Sequence, residues 1–306
     1  MKTLLLLIAL VSSIPLAKAE LDFGKRGSSI LKEIVSQTWA SSWKSASLKN
    51  IRLVSEKPDL NDPMNLPSVW VAVIEGPNNS SGHLTWDSTG EGKLVEFSLD
   101  GKLEVNGNLA KAINGVPSLQ EFPIRDEKER LVASGCVPTA AASVVTFWAN
   151  RKYPQWRGDD GKTPKEVALR LRRQLKMTLY PDLDGFSPNR MALAGAYPSD
   201  LLKVLKTEAV AYQVPIAMGL GRFTFALLKE EINGSRPALL ACTVRVAHKP
   251  ELSWPHAVAA VGYCEIDGVK LVGVLDNFFP TKHQETVRWI REDAFRSILI
   301  LRPQQE

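Results

Sequence analysis

Apolar residues recur at helical spacing near the start of the chain, and short strand-like runs follow them. One face of the predicted helix carries Ile30, Leu31, Ile34, Val35, Trp39 and Trp43. Three apolar runs with turn-forming residues between them come next, at 69–74, 83–86 and 94–97. Residues 20–115 are therefore predicted to form a small α+β domain of one helix and a sheet.

From residue 116 onward the order changes to helices first and strands later. Helical spacing predicts helices over 136–149, 164–177, 199–210 and 224–232. Strands are predicted over 238–246, 257–265 and 269–275. The pair Asp267-Gly268 between the last two runs is typical of a tight hairpin turn. Residues 116–306 are thus predicted to be a second α+β domain.

The first nineteen residues have the pattern of a secretory signal peptide. A short positive start is followed by the apolar run Leu4–Leu16 and the small-residue cleavage signal Ala17-Lys18-Ala19. The mature chain is expected to begin near Glu20 and to be secreted or periplasmic. No later apolar run approaches the roughly 18 to 20 residues that span a bilayer, so we expect no membrane partner.

Composition and charge exclude few classes of function. Hydrophobic residues make up 44% of the chain, enough for a core that needs no disulfides. The formal charge of +5 falls to +3 when Lys2 and Lys18 leave with the signal peptide. This charge identifies no partner, and we expect no nucleic acid to bind.

Three cysteines in an exported chain leave at least one thiol unpaired, and Cys136 is predicted to be free. Cys242 and Cys264 lie in apolar strand-like runs, where cysteine behaves as a small hydrophobe. In a hairpin turning near residue 249, Cys242 would face about residue 257. That register disfavours a bridge between Cys242 and Cys264.

Cys136 follows a glycine at the predicted first turn of a buried helix. Unpaired N–H groups and the positive end of the helix dipole favour thiolate there, so the pKa of Cys136 is predicted to be lowered. Such a thiol is a candidate nucleophile. The alternative is an inert buried cysteine.

A candidate base and its orienting group lie on the later strands. His256 opens the apolar run at 257–263, and Asp276 ends the next run, within a residue or two of the level of His256 in the predicted hairpin. A carboxylate there would orient the imidazole and stabilise imidazolium. Asn277 is the alternative orienting residue. His248 and His283 sit in loop-like contexts and are poorer bases.

With this order of Cys, His and Asp, residues 116–302 resemble a papain-fold cysteine peptidase of the streptopain and bacteriocin-leader-peptidase-like branches. The similarity lies in Gly135-Cys136-Val137-Pro138-Thr139 with Phe147-Trp148, in Pro255-His256-Ala257-Val258, and in Val274-Leu275-Asp276. The resemblance implies a helical lobe followed by an antiparallel sheet. It also implies a peptide or protein substrate, an acyl-thioester intermediate and no cofactor or metal.

The resemblance also implies a glutamine upstream of the cysteine, whose amide helps the Cys136 N–H to hold the oxyanion. Residues 126–135 contain no glutamine, and the nearest candidate is Gln120. Residues 20–115 resemble the propeptide of a zymogen, an inhibitor in cis. A permanent accessory domain is the alternative.

Two other functions fit the same residues: acyl transfer to an amine, as in transglutaminase-like proteins, and a catalytically inactive papain-fold binding module. A basic stretch on the second helix of this half is interpreted as a solvated face; it comprises Arg170, Arg172, Arg173 and Lys176.

Overall fold

The computed structural model describes residues 22–54, 68–88, 92–99, 110–180, 192–246, 249–266, 268–277 and 287–304. The predicted signal peptide over residues 1–19 lies outside these residues, as do His248 and His283. Among the described residues, no helix has the length and apolar character required to cross a membrane.

Five α-helices lie in the described part of the chain. They are α1 (residues 22–36), α2 (Cys136–Arg151), α3 (Pro164–Gln174), α4 (Pro198–Ala211) and α5 (Phe225–Asn233). Short 3₁₀ turns occur at Thr38–Trp43, Pro77–Asn79, Pro154–Arg157 and Glu292–Ala294. The start of α3 has a capping box, in which Thr163 accepts from the Glu166 N–H and the Glu166 carboxylate accepts from the Thr163 N–H. Local sequence therefore fixes where this helix begins.

Eleven of the strands form one antiparallel sheet. The strands are β1 (Ser47–Val54), β2 (Val69–Glu75), β3 (Ser81–Asp87), β4 (Leu94–Leu99), β5 (Ala110–Ala112), β6 (Pro123–Arg125), β7 (Leu131–Ala133), β8 (Thr178–Tyr180), β9 (Leu193–Gly195), β10 (Ile216–Arg222), β11 (Ala238–Val246), β12 (Lys249–Ile266), β13 (Val269–Leu275), β14 (Val287–Arg291) and β15 (Phe295–Pro303). The order in the large sheet is β1-β2-β3-β4-β14-β13-β12-β11-β15-β10, and β5 also pairs with β12. Two-stranded sheets form from β6 with β7 and from β8 with β9.

The large sheet joins the two halves of the chain. In β4 and β14, Phe97 is the partner of Trp289 and Glu96 is the partner of Ile290. Near its C-terminal end, β12 also pairs with β5. Strands from residues 20–115 and strands from residues 116–306 thus belong to one sheet.

Two hydrophobic clusters lie along this sheet. The larger one packs α2 to α5 against β10–β15, and the smaller packs α1 against β1–β4. The 18-residue strand β12 contributes to both, with Val258 to Val261 in the larger cluster and Cys264 and Ile266 in the smaller. The β-branched and small residues of this run suit a strand covered on both faces.

The α+β class predicted from sequence is confirmed. The 238–246 and 269–275 strands have their predicted bounds, and all four helices predicted after residue 116 are present within three residues. Of the fifteen described strands, β1, β5 to β10, β14 and β15 were not predicted. Cys242 is the partner of His256, one residue from the predicted register, and all three cysteines are free thiols.

Candidate active site

Cys136 is the first residue of α2, a helix enclosed by protein on all sides. Every residue from Cys136 to Ala149 is buried, which matches the run of alanine, valine and aromatic residues on all faces of the helix. The helix packs chiefly against α3 and β12. The nucleophile candidate is therefore held by the core rather than by a loop.

Gly135 makes the turn into this helix. Its φ of +94° lies in the region that favours glycine. A Cβ there would come within 2.7 Å of the Met177 Cε and 2.9 Å of the Ala194 carbonyl oxygen. The glycine before the cysteine is thus required by backbone conformation and by space.

His256 lies within β12 and faces Cys136. A ring nitrogen of His256, the Sγ of Cys136 and a carboxyl oxygen of Glu121 all lie within 4.8 Å of one another. The Nε2 of His256 hydrogen-bonds to the Asp276 Oδ1 at 3.1 Å. Asp276 follows β13, where Leu275 is the partner of Ala259, so Asp276 comes level with residue 258. The hairpin register brings the two side chains together as the sequence indicated.

A cavity of about 510 Å³ opens beside Cys136 and His256. Its walls are mainly small and aromatic, and Tyr180 meets Trp254 edge-on with ring centroids 5.7 Å apart. No described residue of 20–115 lines it. This cavity is large enough to admit several side chains beside the Cys136 sulfur.

Asp276 belongs to a buried row of charges that crosses the sheet. Its Oδ2 accepts from the Arg288 Nη1 at 2.6 Å, and the Arg288 Nη2 donates to the Glu96 Oε2 at 2.7 Å. The Glu96 Oε1 is 3.2 Å from the Nε2 of His83, whose Nδ1 is 2.7 Å from the Ser98 Oγ. A residue of β4 thereby supports the carboxylate that holds His256.

This row keeps its carboxylates ionised. Burial raises the pKa of Asp276, but the His256 hydrogen bond and the Arg288 charge outweigh it and hold that pKa well below its usual range. Burial also raises the pKa of Glu96, but Arg288 and His83 outweigh it and lower that pKa from 4.5 to about 2. Asp276 is therefore a fixed anion beside the imidazole.

Asn277 and Gln120 tie the elements of the site together. The Asn277 Nδ2 donates to the backbone carbonyls of Cys136 and Ala257, both at 3.1 Å. The Gln120 Nε2 donates to the Asp276 carbonyl at 3.3 Å. In the described geometry it is therefore Asp276, and not Asn277, that contacts the imidazole.

Replacing Asn277 with leucine is expected to lower the free energy of unfolding by about 1–3 kcal/mol, because two buried carbonyls lose their donor. Denaturant titration measures the loss. Asn233→Leu is a matched control, since the Asn233 Oδ1 accepts from the Tyr263 hydroxyl at 3.0 Å away from Cys136. We expect a displaced Cys136 helix only in Asn277→Leu, seen as slower thiol alkylation; equal alkylation in both variants would contradict this clamp.

The predicted low pKa of Cys136 is wrong for this enclosed state. Burial and the nearby Glu121 raise the thiol pKa to about 12, although the N–H groups of Ala257, Val137 and Cys136 act in the opposite direction. Desolvation penalises the thiolate more than the helix end favours it. The thiol must therefore pass its proton to a base as it reacts.

Glu121 was missed by the sequence analysis although it adjoins Gln120. Burial raises its pKa from 4.5 to about 8; the Gly135 N–H lowers it, the Asp276 charge raises it and the Arg172 charge lowers it. Arg288, Glu96 and His83 were also missed. A charged residue between the apolar Val287 and Trp289 was the available signal for Arg288.

The basic stretch on α3 is only partly solvated. Arg173 is exposed, as expected. The interpretation is wrong for Arg170, which is buried against Glu208 at 2.9 Å, and for Arg172, whose Nη1 donates to the Ser134 carbonyl at 2.8 Å. Arg172 thus fixes the turn before Cys136.

Glu121, Cys136 and His256 are also the one group in the described part of the chain whose donor atoms could converge on a metal ion. A metal ion there would require Cys136 and Glu121 to be deprotonated, so binding it would release their protons.

Neither a family model nor a curated protein matches this sequence. The chemistry of the site therefore has to be argued from its own residues.

Proposed function

We propose that the chain is an exported cysteine peptidase with a papain-like catalytic region over residues 116–306. Cys136 attacks a peptide carbonyl, His256 takes the thiol proton and gives it to the leaving amine, and Asp276 orients His256. Water then hydrolyses the acyl-thioester. The proposal uses no cofactor and takes a peptide or protein as substrate.

One observation carries this proposal: a thiol at the start of a buried helix and a ring nitrogen of His256 lie within 4.8 Å, and Asp276 holds the Nε2 of that histidine at 3.1 Å. With Nε2 on Asp276, Nδ1 is the ring nitrogen on the opposite side of the imidazole. The anionic carboxylate of Asp276 at Nε2 favours the imidazolium that forms when Cys136 loses its proton.

The test is covalent labelling of the full chain with an epoxysuccinyl peptide, followed by peptide mapping. We expect one adduct, on Cys136, and about 10²-fold or greater slowing in His256→Ala. Cys242 and Cys264 serve as internal controls: like Cys136 they are buried thiols with raised pKa values, but neither belongs to the group in which Cys136, Glu121 and a His256 ring nitrogen converge. Labelling elsewhere with Cys136 unlabelled would contradict the assignment.

An inactive binding module is the second candidate, and it is favoured by the small exposure of Cys136, 8%, and its raised pKa. Labelling of Cys136 that does not depend on His256 would support this candidate. Acyl transfer, the third function, predicts a crosslinked product when a primary amine is supplied with the peptide.

For residues 20–115 we propose a permanent accessory domain rather than a removable propeptide. Glu96 neutralises the buried Arg288 that holds Asp276, and no described residue of 20–115 lines the cavity at Cys136. Removing this part would take away the Glu96 carboxylate that accepts from the Arg288 Nη2, one of the two contacts that hold Arg288 in place beside Asp276.

A further inference from the structure

The backbone of residues 120–122 is fixed beside the start of α2. The Glu121 N–H donates to the Asn277 carbonyl at 2.8 Å. The next residue exchanges two bonds with Ser134: the Phe122 N–H donates to the Ser134 Oγ at 3.1 Å, and the Ser134 N–H donates to the Phe122 carbonyl at 2.8 Å. Glu121 is therefore held between the turn that carries Cys136 and the residue after Asp276.

The side chains of Gln120 and Glu121 take different directions from this backbone. The Gln120 amide is bonded to the Asp276 carbonyl. The Glu121 carboxyl lies within 4.8 Å of both the Cys136 Sγ and a His256 ring nitrogen, and the Gly135 N–H acts to lower its pKa. A carbonyl attacked by that sulfur would lie within reach of the Glu121 carboxyl, which is within 4.8 Å of the Sγ.

Four other titratable or charged groups face this carboxyl. The Asp276 charge disfavours a second negative charge and Arg172 favours one, while the Cys136 thiol and His256 lie next to the carboxyl. Burial and the Asp276 charge outweigh Arg172 and the Gly135 N–H and raise the pKa of Glu121 to about 8. At neutral pH the side chain is then mainly a carboxylic acid, which has an O–H to donate.

We propose that Glu121 acts as a neutral carboxylic acid and donates the side-chain hydrogen bond of the oxyanion hole, beside the Cys136 N–H. This proposal rests on the peptidase function proposed above and assigns to Glu121 the role that sequence gave to Gln120. A buried carboxylic acid that stays protonated can hold an oxyanion in this way.

In this step the thiol proton passes to His256 and the Cys136 sulfur forms a bond to the carbonyl carbon. The C=O π electrons move onto oxygen, where the Glu121 O–H and the Cys136 N–H donate to the new negative charge. On collapse the C=O re-forms and the C–N bond breaks, with the leaving nitrogen taking the proton from imidazolium. Glu121 keeps its proton throughout.

The pH dependence of two matched variants tests this role. In the unaltered chain, kcat is expected to fall as pH rises through about 8, because Glu121 then loses the proton that it donates. Glu121→Gln keeps an N–H donor at every pH, so it should retain kcat within a few-fold at neutral pH and lose that alkaline fall. Glu121→Ala should lower kcat about 10²- to 10³-fold.

If Glu121→Gln were as impaired as Glu121→Ala, or kept the same alkaline fall, the proposal would be overturned, because the residue would be needed as a carboxylate. Alkylation of Cys136 by iodoacetamide forms no oxyanion, so its rate should stay within a few-fold in Glu121→Ala. A large change would mean that Glu121 acts on the thiol instead.

A spectroscopic readout separates this proposal from the peptidase proposal. The full chain should show at neutral pH an infrared band of a protonated carboxylic acid that is absent in Glu121→Gln. No such band would overturn the role of Glu121 alone. A full chain that hydrolyses no peptide, with the band present, would overturn the peptidase proposal and with it the use of Glu121 in catalysis.

Discussion

Replacing Cys136 with alanine is expected to lower the rate of peptide hydrolysis by at least about 10³-fold while changing the melting temperature little. The variant removes the atom that forms the acyl-thioester but keeps the small buried side chain that starts α2. His256→Ala should cost a similar factor. Residues that act as one unit are strongly non-additive, so the double variant should be no slower than either single one.

A mixed fluorogenic peptide library suits this measurement, since it assumes no cleavage preference. Cys264→Ala is the matched control, because Cys264 is a buried thiol in the smaller hydrophobic cluster, on the same strand as His256. Its rate per folded molecule should equal that of the unaltered chain. Losses that multiply in the double variant would argue that Cys136 and His256 act separately.

Replacing Arg288 with methionine is expected to lower the free energy of unfolding by about 3–5 kcal/mol, the range for breaking a buried ion pair by removing one partner. The change leaves Asp276 and Glu96 as buried anions without their shared cation. We also expect a lower kcat, because Asp276 would lose the cation that holds its carboxylate in place beside His256. Urea unfolding and peptide hydrolysis measure the two effects.

Arg291→Met is the control on the same strand. Its partner Asp293 is 61% exposed, so the cost should stay below about 1 kcal/mol. Glu96→Gln with Arg288→Met should be less destabilised than Arg288→Met alone, because one uncompensated charge is gone. Equal losses for Arg288→Met and Arg291→Met would contradict a structural role for the charge row.

The charge row also gives a pH dependence. The folded pKa of Glu96 is depressed from 4.5 to about 2, so its contribution to stability is present above the unfolded value and is lost as pH falls between these limits. Glu96→Gln lacks this contribution. Its free energy of unfolding should therefore fall less steeply over that interval than that of the unaltered chain.

Local patterns were sufficient for the elements that carry the candidate triad. An all-apolar helix after a glycine located Cys136, and the two-residue hairpin signal at 267–268 fixed the register between His256 and Asp276 to within two residues. Helix and strand periods act over a few residues, so one sequence can report them. The charge of Asp276 and the location of its partners needed the fold.

Glu121 and Arg288 illustrate what the sequence could not give. The acid character of Glu121 arises from desolvation of a half-buried side chain between two distant segments, and the role of Arg288 depends on pairing between β4 and β14, 192 residues apart at Glu96. The pKa of Cys136 was mispredicted for the same reason, because desolvation depends on everything packed around the sulfur. Long-range neighbours set these properties, and no local period encodes them.

The length of β12 has a consequence for how this chain evolves. The middle of the strand carries His256 and its C-terminal end carries Cys264 and Ile266 of the smaller cluster, so a single element belongs to both halves. Recombination that exchanged residues 20–115 for an unrelated segment would remove β5 and β4, each one of the strand partners of β12 and β14, together with Glu96. The two halves are therefore expected to be inherited as one unit, with compensating substitutions between the paired strands β4 and β14.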